Sequence, residues 1–206
     1  MVLLNAPATH SFLDTLKALD TWLFLQINGQ LTNPFFNSIA PMYRDMVTWM
    51  PLYLFLLVFI LLNFGLKAWP WILALIVTVV ITDQGSNVIK DLVGRTRPCN
   101  DDAIAPYIHL LLNRCPGSKS FTSNHASNHF GAAWLLYLTL KPFIKKWAGL
   151  FFVWAATVSY AQVYVGVHYP FDVLGGAIFG SLVGCGVAYL FNRYIGLKRA
   201  AIESVL

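Results

Sequence analysis

Charge is scarce in this chain. Only 11% of its 206 residues are Asp, Glu, Lys or Arg, against about 25% in an ordinary soluble domain. With 57% apolar residues and a mean hydropathy of +0.61, that shortage excludes disorder, which needs low hydrophobicity and high charge. It also argues against a soluble domain of ordinary composition. Cysteine is sparse as well. Cys99, Cys115 and Cys185 are the only three, and no second close pair of Cys or His accompanies them, so a zinc site is not expected. No carboxylate cluster suited to magnesium is visible, so no metal and no cofactor is expected. No Lys or Arg precedes Lys17. The basic start of a signal peptide is therefore missing, and insertion into a membrane is expected to rest on the spans themselves. There is no internal repeat and no low-complexity stretch. The net charge is +5 and the pI about 9.2. Membrane proteins concentrate Lys and Arg in cytoplasmic loops, and these cations form no patch interleaved with aromatics, so nucleic acid is not an expected partner.

What the sequence does have is long apolar runs. A spanning helix needs roughly 20 mostly apolar residues. Residues 48–66, 69–89, 125–140, 147–167 and 173–191 are candidates. The second turns polar in its outer half at Thr82, Asp83, Gln84, Ser86 and Asn87. Residues 11–30 differ. Phe12, Leu16, Leu19 and Leu23 fall on one helical stripe, with Asp14, Lys17 and Asp20 off it. That pattern suits a helix lying in the interface, or a tilted sixth span aided by Phe35 and Phe36. The expected fold is all-α: a multi-span helical membrane protein of about five to six transmembrane helices with an N-terminal amphipathic helix. It forms one domain over 1–206, divided into an amphipathic region (1–47), a helical core (48–195) and a cytoplasmic tail (196–206).

Counting cations at the two sets of loop ends gives seven against seven, so the positive-inside rule alone is a tie. The sets differ in kind. Lys67, Lys141, Lys145, Lys146, Arg193, Lys198 and Arg199 sit in short turns and the tail, with Glu203 their only acid. The others are mixed with acids and gather mostly in one polar loop, 91–124. Cations collected in one loop read as a site, which places residues 141–146 and the C-terminus in the cytoplasm. The 91–124 loop and the 167–171 turn then face outside together. Cys99 and Cys115 both lie in that outer loop, where an oxidising compartment favours a disulfide. It would close about 15 residues and contribute roughly 3 kcal/mol in the chain-entropy model. Cys185 reads as a small core residue. Gly176, Gly180 and Gly184 recur at four-residue steps, a spacing that lets helices approach closely. Packing inside the bundle is the expected use, and a dimer face the other.

Three clusters fall at the outer face. The first runs from Lys90 to Pro98 and places Lys90, Arg95 and Arg97 within eight residues. Such cations are costly in hydrocarbon and imply an anion or a polar cavity. The arginine fork suits phosphate oxygens, and lysine offers a point charge. The second is Thr122-Ser123-Asn124-His125, where a span begins. Free N–H groups at a helix start favour anions, Ser123 is a natural N-cap, and His125 falls in the first turn. The third is His168-Tyr169-Pro170-Phe171-Asp172. Pro170 suits the first helical position, and the dipole favours Asp172 in the first turn. His168 and Asp172 are four apart and can touch if the turn is helical. A carboxylate on one ring nitrogen leaves the other free to attack. Taken singly, each cluster also reads as an interface anchor or a capped turn. Together on one face they do not read as packing. Asp83 lies two turns from Lys90 and either pairs with a cation or lines a cavity. His129 is expected to line the site, and His10 and His109 to face solvent.

In these three clusters the chain resembles the type 2 phosphatidic acid phosphatase superfamily, whose integral-membrane members dephosphorylate lipids. The family's first motif is Lys, six residues, Arg-Pro, matched by Lys90 and Arg97-Pro98. The second, Pro-Ser-Gly-His, is matched in part by Thr122-Ser123-Asn124-His125. The third is Ser-Arg, five residues, His, three residues, Asp. His168 and Asp172 match it, but the leading pair is Ala161-Gln162. The resemblance implies that His168 attacks phosphorus and becomes a phosphohistidine, that Asp172 orients it, and that His125 protonates the leaving oxygen and then activates water. Lys90, Arg97 and the backbone N–H groups of Ser123 and Asn124 would hold the phosphate oxygens. Gln162 stands where the family has a phosphate-binding arginine, and Arg95 is the expected source of the missing charge.

The expected activity is that of a metal-independent lipid phosphatase acting on a lipid phosphate or pyrophosphate. Polyprenyl pyrophosphate, phosphatidylglycerol phosphate, phosphatidic acid and a lipid A phosphate are the candidate substrates. A bacterial inner membrane, with the site facing the periplasm, is the expected location. A phosphotransferase using the same phosphohistidine shares the first half-reaction. A non-catalytic lipid-phosphate binder is the reading that Gln162 alone favours.

Overall fold

The computed structural model describes residues 11–197, so His10, Lys198, Arg199, Glu203 and most of the expected tail lie outside the described residues. Those residues form seven α-helices linked by short turns and one long loop, with no strand among them. α1 (Phe12–Leu25) runs into a wider turn at Gln26–Gln30. α2 (Pro34–Tyr43) starts on Pro34 with the Asn33 side chain accepting from the Phe36 N–H. A single turn at Met46–Trp49 leads to α3 (Met50–Phe64), and α4 (Trp69–Val93) follows. Gly94 ends α4 in the left-handed region at φ 65°, where the missing Cβ removes the steric penalty. α5 (Asn124–Ile144), α6 (Leu150–Tyr164) and α7 (Pro170–Tyr194) complete the chain.

The interior is more polar than the surface along several helices. On α4 the buried positions are Trp71, Thr78, Thr82, Ser86 and Lys90, mostly at four-residue steps, while Ile76, Val80, Val88 and Leu92 point outward. Lipid is as apolar as leucine, so apolar side chains gain little by turning inward and polar ones must. On α1 both polar and apolar side chains face outward, and the buried side pairs one carboxylate with one aromatic ring. Asp20 and Phe24 are buried, whereas Phe12 and Leu19 of the expected apolar stripe face outward.

Three segments are helical, long and apolar enough to cross a membrane: Met46–Phe64, Leu66–Asn100 and Pro170–Tyr194. The other two expected spans are present as helices that fall short of that measure. α6 has only 15 residues, and the outer end of α5 carries Asn124, His125, Ser127, Asn128 and His129.

α5 is the hub, packed between α4, α6 and α7. Its union with α7 is very close. A Cβ at Gly180 would overlap the backbone of Ser127, and one at Gly184 the backbone of Gly131. The Gly176, Gly180 and Gly184 stripe is therefore buried inside the bundle against α5. An apolar core of Ile60, Phe64, Trp71, Leu136, Leu140 and Val158 fills the far half.

The α1–α2 hairpin is pinned to the end of α6. Asn28, fully buried, donates to the carbonyls of Tyr164 (2.8 Å) and His109 (2.9 Å) and accepts from the His109 N–H (2.8 Å). The Tyr164 hydroxyl in turn bonds Asn33 and Asn37 on α2.

Candidate active site

The site lies where α4 ends and α5 and α7 begin. Each local start follows from its residues. Ser123 caps α5, its Oγ accepting from the Ala126 N–H. Pro170 opens α7, and Asp172 in the first turn accepts from the Tyr169 N–H at 2.9 Å. The disulfide Cys99–Cys115 closes the long loop. It brackets the stretch between Arg97 and Ser118, and Cys185 is a free, half-buried thiol.

His168 is almost fully buried and held from both sides. Arg97 Nη1 lies 3.0 Å from its Nε2. A guanidinium can only donate, so Nε2 accepts and the ring proton sits on Nδ1. Nδ1 faces Asp172 Oδ2 at 3.5 Å and the Ser120 hydroxyl at 3.4 Å. Burial, helped by the charges of Arg97 and Lys90 and opposed by Asp172, pushes the His168 pKa down to about 4. The imidazole is neutral at pH 7, with its Nε2 lone pair turned toward the cations.

Asp172 has no exposed surface. Its Oδ2 also accepts from Ser120 Oγ at 2.5 Å, and its Oδ1 from Arg95 Nη1 at 2.8 Å. Arg95 Nη2 bonds Asp20 Oδ2 at 2.6 Å, and its guanidinium lies 4.0 Å from the centre of the Tyr169 ring. Both terminal nitrogens of Arg95 are thus taken by carboxylates behind His168. The expectation that Arg95 supplies charge directly to a phosphate is corrected accordingly. Asp20 also accepts from the Phe171 N–H at 2.8 Å.

Arg97 is 6% exposed and braced by the Ser118 carbonyl (2.7 Å), the Ser118 hydroxyl (2.9 Å) and the Val167 carbonyl (3.0 Å). Lys90 is buried and donates to the Thr122 carbonyl, bracing the turn before α5. The Ser123 N–H donates to the Asp172 carbonyl at 3.0 Å. It is therefore not free to hold an anion, which corrects that expectation. The first N–H groups of α5 that lack an intrahelical partner begin at Asn124.

His125 lines a cavity of about 370 Å³ with Arg44, Asn124, His129 and Trp154. One side of this cavity is polar. Asp83 Oδ1 accepts from Asn124 (2.8 Å) and Asn128 (3.3 Å), so Asp83 is met by amides rather than by a cation. The other side runs along Leu75, Val79 and Leu136 into the bundle. His129 stacks parallel to His125 with ring centres 6.4 Å apart, and His109 is exposed. Gln162 is fully buried, and its Oε1 accepts from Arg44 Nε at 3.3 Å. Among the described residues no group of three His, Cys, Asp or Glu could hold a metal ion.

Four residues of the site were not singled out from sequence: Asp20, Arg44, Ser118 and Ser120. Asp20 had a signal, since it stands one helical turn before Phe24 and two before Asn28, all buried on one side of the hairpin. The other three lie in segments without a local pattern.

Comparison with known proteins fits this geometry. The chain is 37% identical to a lipid A 4′-phosphatase of Bacteroides thetaiotaomicron over 84% of its own length and 76% of the relative's. It is 27% identical to a lipid A 4′-phosphatase of Porphyromonas gingivalis, over 89% and 79% of the two chains. The fold is that of the transmembrane phosphatidylglycerolphosphate phosphatase of Bacillus subtilis, with a TM-score of 0.67 at 20% identity over 90% of this chain and 89% of that one. Residues 67–195, which hold α4 to α7 and the three clusters, match the PAP2 superfamily, and the chain belongs to it.

Proposed function

We propose that this membrane lipid phosphatase removes a phosphate from a lipid A-type glycolipid at the outer face of a bacterial inner membrane, through a phosphohistidine on His168. The observation that carries the reading is the setting of His168, with Asp172 on Nδ1 and Arg97 at Nε2. When Arg97 Nη1 passes from Nε2 to a phosphate oxygen, the Nε2 lone pair attacks phosphorus, and the bond from phosphorus to the lipid oxygen breaks. His125 passes its proton to that oxygen. The negative charge of the bound phosphate favours the protonated ring beforehand. His125, now neutral, takes a proton from water, whose oxygen attacks the phosphohistidine and releases inorganic phosphate. Arg97, Lys90 and the first free N–H groups of α5 hold the non-bridging oxygens. Phosphoryl transfer depends mainly on such positioning and charge neutralisation. No step needs a metal.

The substrate class is supported by the 37% identity to a lipid A 4′-phosphatase and by the cavity beside His125. Its apolar side suits an acyl chain and its polar side a headgroup. The outward orientation is supported by the Cys99–Cys115 disulfide beside the site, since disulfides persist in oxidising compartments.

The test is phosphate release by purified protein in detergent with EDTA. It is offered a lipid A carrying a 4′-phosphate, a polyprenyl pyrophosphate and phosphatidylglycerol phosphate, with His168→Ala as control. The expected result is EDTA-resistant release, greatest from the glycolipid and absent in the variant. Release that needs a divalent ion, or that survives in His168→Ala, would sink the mechanism. A preference for the pyrophosphate would sink the substrate.

A further inference from the structure

We propose that Arg44, from the end of α2, is a phosphate-binding residue that supplies the positive charge absent at Gln162, so that the N-terminal hairpin completes the active site. The proposal rests on the reading of the cavity beside His125 as a phosphate site.

Arg44 is half-buried and reaches across 118 positions of sequence to place Nε 3.3 Å from Gln162 Oε1. It lines the same cavity as His125 and Asn124. Among the described residues its Nη1 and Nη2 make no hydrogen bond and it has no ion pair. Its neighbour Asp45 is turned away to accept from the Val47 N–H. Gln162 Nε2, fully buried, is likewise without a partner. A buried amide donor without a partner is costly unless an acceptor arrives, and Arg44 beside it keeps two donor nitrogens free for the same acceptor. The charge balance points the same way. Arg44, which lines the cavity, and Arg97 and Lys90 have no ion pair among the described residues, the carboxylate beside His168 is already paired with Arg95, and Asp83 on the cavity wall is bonded to amides. Three unpaired cations and an amide donor match a doubly charged phosphate with several oxygens to hold. Gln162 thus ceases to be a defect. It is a neutral seat that leaves room for an arginine arriving from another helix, where two arginines would repel.

The experiment measures orthovanadate affinity and lipid turnover for wild type, Arg44→Ala, and Arg44→Ala combined with Gln162→Arg. Lys67→Ala, an exposed cation outside the site, controls for lost charge. Losing a charge-assisted contact should weaken orthovanadate binding and kcat/KM of Arg44→Ala roughly 10- to 100-fold. Restoring a cation at position 162 should recover most of that loss, and Lys67→Ala should match wild type. A folded Arg44→Ala that binds orthovanadate like wild type overturns the proposal. If that variant fails to fold, Arg44→Gln, which keeps a donor without the charge, is measured in its place against the same two outcomes. Orthovanadate binding does not require turnover. A wild type that binds it through Arg44 but hydrolyses no lipid would therefore sink the phosphatase reading and leave this one standing.

Discussion

The core helices α4–α7 and the N-terminal hairpin α1–α2 reach the same pocket by different routes. The core carries Lys90, Arg97, His125, His168 and Asp172 at or beside the ends of its helices. Ser123 caps the helix of His125 and Asp172 caps its own, and bonds between core elements cross-brace Lys90, Arg97, His168 and Asp172. The hairpin carries Asp20 and Arg44, and each acts on a partner at least 75 positions away. Both depend on how well Asn28 and Tyr164 pin the hairpin down. The proposed reacting groups are therefore set by helix ends braced within the core. Docking a separate pair of helices adds charge around them, coupled to the core through Asp20, Arg95 and Asp172.

The largest expected effect lies wholly in the core. Asp172→Asn removes the acceptor that keeps the His168 proton on Nδ1 and leaves Arg95 with one carboxylate. In a histidine–carboxylate pair elsewhere such a change costs about 10⁴-fold, and single-turnover phosphate release should fall by about that factor. Comparable loss from a hairpin variant would erase the distinction between the two regions.

Next come Asp20→Asn and Arg95→Ala, which join the regions. Each breaks a charge-assisted contact behind Asp172, and a fall of about 10- to 100-fold in kcat is expected from either. The two act through one chain of contacts, so the double variant should be little worse than the worse single. Fully multiplicative losses would show that Asp20 works by some other path.

A pH profile separates the nucleophile from its supports. The pKa of His168 is lowered to about 4, mainly by burial, so the ring stays neutral and able to attack as pH falls through the ordinary 6.5 of histidine. If His168 controls the acid limb, kcat/KM should hold to about pH 5 and then drop near 4, tenfold per unit below it. An acid limb near 6.5 would mean an exposed ring, or control by another group.

Stability distinguishes the two regions least. Reducing Cys99–Cys115 frees a loop beside the core site and should lower stability by roughly 3 kcal/mol. Asn28→Ala leaves the Tyr164 and His109 groups unpaired under the hairpin and should cost about 1–3 kcal/mol. Melting in detergent checks both, and activity lost before unfolding in Asn28→Ala would tie the hairpin directly to the site.

The residues proposed to do the chemistry were legible in the sequence because their signals are short-range. Ser123 and Pro170 mark helix starts, Lys90 to Arg97 crowds charge, and His168 to Asp172 spans one turn. The disulfide was legible from two cysteines in one polar loop. What escaped was set by packing. Ser120 looks like any loop serine until it meets Asp172. Arg95 sits among the expected phosphate ligands by position, yet Asp20 draws it behind the histidine. The Ser123 N–H looks free at a helix start, yet α7 packs so close that the Asp172 carbonyl takes it. On α1 the burial of Asp20 is set by Arg95 and the Phe171 N–H, partners on distant elements that the stripe pattern does not show.

That close packing has a consequence for tolerance. His125 rides on α5, and His168 and Asp172 ride at the head of α7, so the gap spanned by a phosphorus atom between the two histidines is a distance between two rods. Gly176, Gly180 and Gly184 act as the gauge that sets it, with no side chain between the backbones. A single methyl at Gly180, more than two turns along α7 from Asp172 and against Ser127 on α5, would shim the rods apart and widen the jaw. The spacing of the proposed catalytic histidines is thus machined by residues that have no side chain at all.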